Sequence, residues 1–209
     1  MSPAATLGTV LLAYLPAAIT PGPNFVLIAH TAATGTRRAA VAIALGVVAA
    51  GGLLAAVAVF GLGGVLARTP WLATALRVAC GGYLAWLGVR LWWQARTPGA
   101  PVPPPDQDEV VARRGTAFRR GVVSNVTNPK AAAFFGSVLT ATLPPTEPTA
   151  VRAAAVALIV ATSAAWHLSV ALLFSSPATQ RWYARAEPAL NRVVGTVLVV
   201  LGVTLASTP

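Results

Sequence analysis

Six apolar stretches, at residues 4–31, 39–67, 71–93, 118–143, 151–175 and 188–206, follow one another along this sequence with short polar connectors between them. One crossing of a bilayer takes about 20 residues of helix. No water is present there to satisfy an open backbone, so each crossing must close its hydrogen bonds internally. The pattern therefore predicts an all-α membrane protein with six transmembrane helices. Composition agrees: 56% of the 209 residues are hydrophobic and only 10% are charged, too few to coat a soluble domain of this size. The first stretch has no Lys or Arg ahead of it. It also outruns a signal-peptide core, and is expected to remain as the first span.

The formal net charge of +10 would suit a nucleic-acid binder, but the placement of the charges argues otherwise. Arg37 and Arg38 lie in the first connector. Arg96, Arg113, Arg114, Arg119 and Arg120 gather at the third, and Arg181, Arg185 and Arg192 at the fifth. The second and fourth hold only Arg68 and, at the edge, Arg152. Basic loops stay in the cytoplasm, so connectors one, three and five are expected inside and both termini outside. Trp71, Trp92, Trp93 and Trp182 sit at segment ends, where indole rings suit the headgroup layer. Cys80 is the sole cysteine, which excludes an internal disulfide and a thiolate metal cluster.

The third connector, residues 94–117, contains a proline-rich run followed by Asp106, Asp108 and Glu109. Proline keeps such a segment extended and the acids keep it solvated. It reads as a cytoplasmic linker between a first half, 1–93, and a second half, 118–209. The halves echo each other at an offset of 114: Gly81 matches Gly195, Gly88 matches Gly202, and Leu84 matches Leu198. Three helices per half would bring the second half in from the opposite side, giving two inverted three-helix repeats.

Each half is expected to open with a helix broken near the membrane midplane. In the first span Thr20, Pro21, Gly22, Pro23 and Asn24 interrupt apolar sequence; the prolines remove donors and restrict their neighbours, and glycine permits unusual dihedrals. Asn125, Asn128, Pro129 and Lys130 interrupt the fourth span in the same way. Backbone groups freed at that depth need protein or a wet cavity around them. Free amides at short helix starts suit a carboxylate, and unwound carbonyls suit an ammonium, so the pair of breaks fits an amino acid. Lys130 is the only lysine, and a cation inside a span is a functional candidate by default. Pro21, Gly22, Pro23, Asn24, Asn125, Asn128, Pro129 and Lys130 are accordingly the expected substrate-binding residues.

With these motifs in hand, the chain resembles the lysine-exporter (LysE) superfamily, and within it the homoserine/threonine-resistance (RhtB) branch. The resemblance rests on Pro21-Gly22-Pro23, then Gly35, Arg37 and Arg38, then Gly82, Tyr83, Leu84 and Gly88, and on Phe118, Gly121, Asn125, Asn128, Pro129 and Lys130. It covers nearly the whole chain, with the motifs in order. One departure stands out. Members often carry a polar or acidic residue in the second span, whereas Gly46 through Gly52 is apolar throughout here. Close helix packing is the role expected of those glycines.

The resemblance implies export of neutral or hydrophobic amino acids, such as homoserine, threonine or leucine, across a bacterial inner membrane by proton antiport. Its partners would be the small-molecule substrate and the bilayer; nucleic acid is not expected, and a homo-oligomer stays open. The alternatives are an exporter of another small metabolite or ion within the superfamily, or a non-transporting membrane assembly protein. No nucleophile triad, metal-ligand spacing or phosphate loop points to an enzyme, and no cofactor or metal is expected. All five acids fall in connectors or at segment edges, so no span supplies a carboxylate. His30 and His167 remain as the proton-coupling candidates.

Overall fold

The computed structural model describes residues 2–62, 65, 68–96, 114–143 and 146–207, and every regular element among them is helical. Helix α1 (Pro3–Ile19) starts at Ser2, whose side chain accepts from Ala5 N, and carries proline in its first turn, where the missing donor costs nothing. It stops because Thr20 is followed by Pro21: the residue before proline is pushed out of helical geometry, and Thr20 is extended at ψ 124°. Proline opens α2 (Pro23–Thr34) in turn, and the axes of α1 and α2 differ by 53° across the break.

Helix α3 (Arg37–Val57), capped by the Thr36 side chain on Ala39 N, continues into one wide π turn at Ala58–Leu62. Helix α4 is Pro70–Arg96, and α5 is Arg114–Val126. After a break at Thr127 and Asn128, α6 runs from Pro129–Ala133 through a π turn at Phe134–Val138 into Leu139–Thr142. Helix α7 is Thr149–Leu173 and α8 is Pro177–Ser207. The last helix begins at Pro177 rather than at 188, because its polar first turns, with Arg181 and Arg185, stay helical beyond the apolar stretch. Most of the expected linker, 97–113, lies outside the described residues.

Among the described residues four helices are long and apolar enough to cross a membrane, and the bent pair α1–α2 makes a fifth candidate. The expected fourth span is divided. Its α5 half has 13 residues, about 20 Å of helix against a hydrocarbon core of about 30 Å, so neither half qualifies alone.

Helices α3 and α7 pack together in the middle, α3 also against α5, and α7 also against α1. The α3–α5 contact is backbone on backbone. A Cβ on Gly46 would lie 2.1 Å from Phe118 O, and one on Gly121 would lie 2.1 Å from Ile43 O. Small residues permit this approach, which is how helices gain packing when lipid is as apolar as their side chains. Helices α4 and α8 pair antiparallel through a second glycine set. A Cβ on Gly81 would meet Gly202 O at 2.6 Å, and one on Gly88 would meet Gly195 O at 2.5 Å. Shifting each residue to its counterpart 114 positions away turns the first contact into the second.

Candidate functional site

The two breaks lie against each other. In an unbroken helix the Thr20 carbonyl would accept from Asn24 N; the turn at Pro21 and Gly22 prevents that. Lys130, in the first turn of α6, supplies the donor instead, its Nζ reaching Thr20 O at 2.8 Å. Gly22 leaves room for it, since a Cβ there would stand 3.3 Å from Nζ. On the α6 side Asn128 caps the helix, its Oδ1 accepting from Lys130 N at 3.0 Å. The other end of the same amide has no such use: Asn128 is 2% exposed and its Nδ2 is buried without a hydrogen-bond partner. A buried donor left unmade costs about 1–3 kcal/mol, so this amide is poised for an acceptor.

A second polar chain runs beside the first. Asn24 Nδ2 donates to Asn125 Oδ1 at 2.8 Å, Ser124 Oγ donates to Asn24 Oδ1 at 2.8 Å, and Asn125 Nδ2 donates to Val47 O at 3.0 Å. The chain joins α2, α5 and α3. It also explains the apolar second span. Gly51, one turn after Val47, would place a Cβ 3.3 Å from Asn125 Nδ2, so its bare backbone admits the amide. The second span thus contributes a backbone carbonyl, that of Val47, to this chain.

Between these groups and α7 lies a cavity of about 40 Å³, space for a few waters at most. Thr20, Asn24, Asn125, Asn128 and Lys130 make its polar side. Phe25, Tyr14, Phe134 and Phe135 form aromatic walls, and Ser163 and His167 close it from α7. The π turn holds Phe134 and Phe135 buried side by side, with Tyr14 5.2 Å and 6.4 Å from them by ring centroid; such wide turns recur at functional sites.

Five of the expected residues therefore come together: Asn24, Asn125, Asn128, Lys130 and His167. Pro21, Gly22, Pro23 and Pro129 shape the turns that aim them without lining the cavity. His30 lies apart, half-buried on α2 and bonded to Thr34, whose Oγ1 is 3.4 Å from Nδ1. Tyr14, Ser124, Ser163 and the three phenylalanines were not anticipated. A spacing of four from His167 could have pointed to Ser163, and adjacency to Asn125 to Ser124. No sequence signal marks Tyr14.

Comparison with known proteins bears on what such a site serves. The family described as LysE type translocator matches residues 15–208. The threonine efflux protein of Escherichia coli (strain K12) is 32% identical over 197 residues, 94% of this chain and 95% of that protein. The threonine efflux protein of Salmonella typhi is 31% identical over 198 residues, with the same two coverages. An uncharacterized membrane protein, YahN, of E. coli K12 is 30% identical over 185 residues, 88% of this chain and 82% of its own length. No solved structure gives a significant match.

Proposed function

The chain belongs to the LysE type translocator family, in its RhtB branch, and on that premise we propose that it exports small neutral amino acids, threonine among them, across the bacterial inner membrane. The observation that carries the reading is the unpartnered Asn128 amide beside the Lys130 ammonium at one cavity. Two donors side by side, one of them charged, suit the two oxygens of a carboxylate. The substrate's ammonium finds acceptors along the same polar side. Thr20 O, Asn24 Oδ1 and Asn125 Oδ1 each hold one donor already, and each oxygen keeps a second lone pair.

Selectivity follows from what lines the walls. Among the described lining residues there is no carboxylate, so a cationic side chain would enter without a partner, at a cost of several kcal/mol. Aromatic and alanine walls favour short neutral side chains. Export is driven by proton antiport through alternating access of two inverted three-helix halves, with both termini outside. The reciprocal contacts Gly81–Gly202 and Gly88–Gly195, exchanged by the 114-residue offset, support the inverted repeat.

The test is efflux of labelled threonine, homoserine, leucine and lysine from preloaded cells, with and without a collapsed proton gradient. Expression of the chain should speed loss of the neutral substrates in energised cells only. No acceleration for any of them would refute the reading.

A further inference from the structure

We infer that His167 couples proton entry to amino-acid exit, because its side chain lines one cavity with the groups proposed above to bind the substrate. The inference rests on the export reading above and adds the residue through which the proton moves.

His167 is 6% exposed and lines the cavity from α7. Its Nδ1 is held by the chain itself, 2.9 Å from Ser163 O and 3.2 Å from Ser163 Oγ. A carbonyl can only accept, so Nδ1 carries the hydrogen and the neutral ring keeps its free lone pair on Nε2. Among the described residues nothing is bonded to Nε2. The tautomer is therefore fixed, and the one atom able to take a proton is left unused by the fold.

The surroundings decide what happens when it does. From α1 the cavity presents the Tyr14 hydroxyl, and from α6 the Lys130 ammonium. Helices α2, α3 and α5 present Asn24, Phe25, Val47 and Asn125, none of which carries a charge. A protonated imidazole would thus be a second cation beside Lys130 with no carboxylate among the described lining residues to offset it. A zwitterion entering the same space brings an ammonium of its own, which a charged His167 repels. Proton and substrate exclude each other.

That exclusion is what an antiporter needs. With the cavity open outward, the amino acid leaves and Nε2 takes a proton from external water. With the cavity open inward, the same proton passes to cytoplasmic water and the neutral ring admits the next substrate. One proton enters for each zwitterion that leaves, with no covalent change in the protein. Lys130 does not serve in this role, because its ammonium is engaged with Thr20 O and is required for the carboxylate throughout.

The experiment uses the full chain reconstituted in vesicles, with labelled threonine as probe and the membrane potential clamped. Two quantities are read: threonine exchange without any gradient, and accumulation when the interior is one pH unit more acidic than outside. Wild-type protein should do both, accumulating threonine about tenfold, the ratio one pH unit supports at one proton per substrate. His167→Gln and His167→Asn should continue exchange, slowed by a few-fold, and lose accumulation. His30→Gln should retain both. In wild-type protein at equal pH on both sides, the threonine KM should rise as pH falls while the maximal rate holds, because protons compete with substrate.

Absence of exchange in wild-type protein would remove the export reading itself. Exchange without a response to the pH gradient would keep export and overturn the coupling. Coupling preserved in folded His167 variants, or lost in His30→Gln instead, would overturn the role of His167. Loss of exchange in both folded His167 variants would make the residue a substrate ligand, and that too would overturn it. Should neither variant fold, a wild-type KM that does not change with pH decides against the inference.

Discussion

The Lys130 ammonium donates to the Thr20 carbonyl at 2.8 Å, so the only lysine of the chain closes the backbone gap that Pro21 opens at Thr20, 110 positions before it in sequence. This one bond unites the two interruptions. Removing the lysine would leave Thr20 O without its donor and the cavity without its cation. Lys130→Ala should therefore abolish threonine efflux while the protein still reaches the membrane, since insertion depends on summed apolar length. Losing one charge-assisted hydrogen bond costs about 1.5–3 kcal/mol, or about tenfold to more than a hundredfold in affinity. Lys130→Arg should also fail to restore activity, because a planar guanidinium does not fit where a compact ammonium does. Wild-type efflux from a normally expressed Lys130→Ala variant would reduce the residue to a structural anchor.

Gly22 tests the same bond from the other side. An added methyl would stand 3.3 Å from Lys130 Nζ, closer than the ammonium can accept without shifting. Gly22→Ala should lower efflux severalfold with membrane levels unchanged, and blotting beside the transport assay separates the two. Full activity would mean that the ammonium has room to move.

Substrate charge gives a third expectation. With no carboxylate among the described cavity residues, lysine and arginine should be poor substrates beside threonine, homoserine and leucine. Competition by unlabelled amino acids against labelled threonine measures this directly. Stronger competition by lysine than by homoserine would overturn the assigned polarity of the site.

Orientation follows from the basic connectors. A reporter active only outside the cytoplasm should work when fused after Pro209 or near Pro145, and stay silent near Pro104. An active fusion near Pro104 would undo the six-span topology.

The interruptions were legible because proline, glycine, asparagine and a lone lysine are conspicuous against apolar sequence, and each has a backbone consequence that does not depend on its neighbours. Asn24, Asn125, Asn128 and Lys130 could be named on that ground. Tyr14, Phe134 and Phe135 could not. In a soluble helix an apolar stripe tells which face is buried, but here lipid and protein core ask for the same side chains. Leu12 at 73% and Leu53 at 64% exposure are as apolar as the buried Val10 and Ile43. Register across the helices is therefore written in the glycines instead: Gly46, Gly121, Gly81 and Gly202 mark where backbones touch. Helix α8 starts at Pro177, ahead of the apolar stretch at 188–206, for a related reason, since hydropathy locates bilayer and not helix.

The asparagine pair offers the sharpest energetic test. Asn24 Nδ2 and Asn125 Oδ1 meet at 2.8 Å in a buried position, and each side chain holds a further partner, Ser124 Oγ for Asn24 and Val47 O for Asn125. Replacing one asparagine by alanine leaves the other with a buried group that has lost its partner, at about 1–3 kcal/mol. Replacing both removes donor and acceptor together, so the second substitution should cost much less than the first. Asn24→Ala, Asn125→Ala and the double variant should therefore show a coupling of about 0.5–3 kcal/mol in denaturant unfolding of the purified protein. Efflux should behave differently. All three variants should be inactive, because the single replacements disturb the acceptors proposed for the substrate ammonium and the double one deletes them. Strict additivity in unfolding would mean that the two amides do not depend on each other. Recovery of transport in the double variant would mean that the pair supports the fold and takes no part in binding.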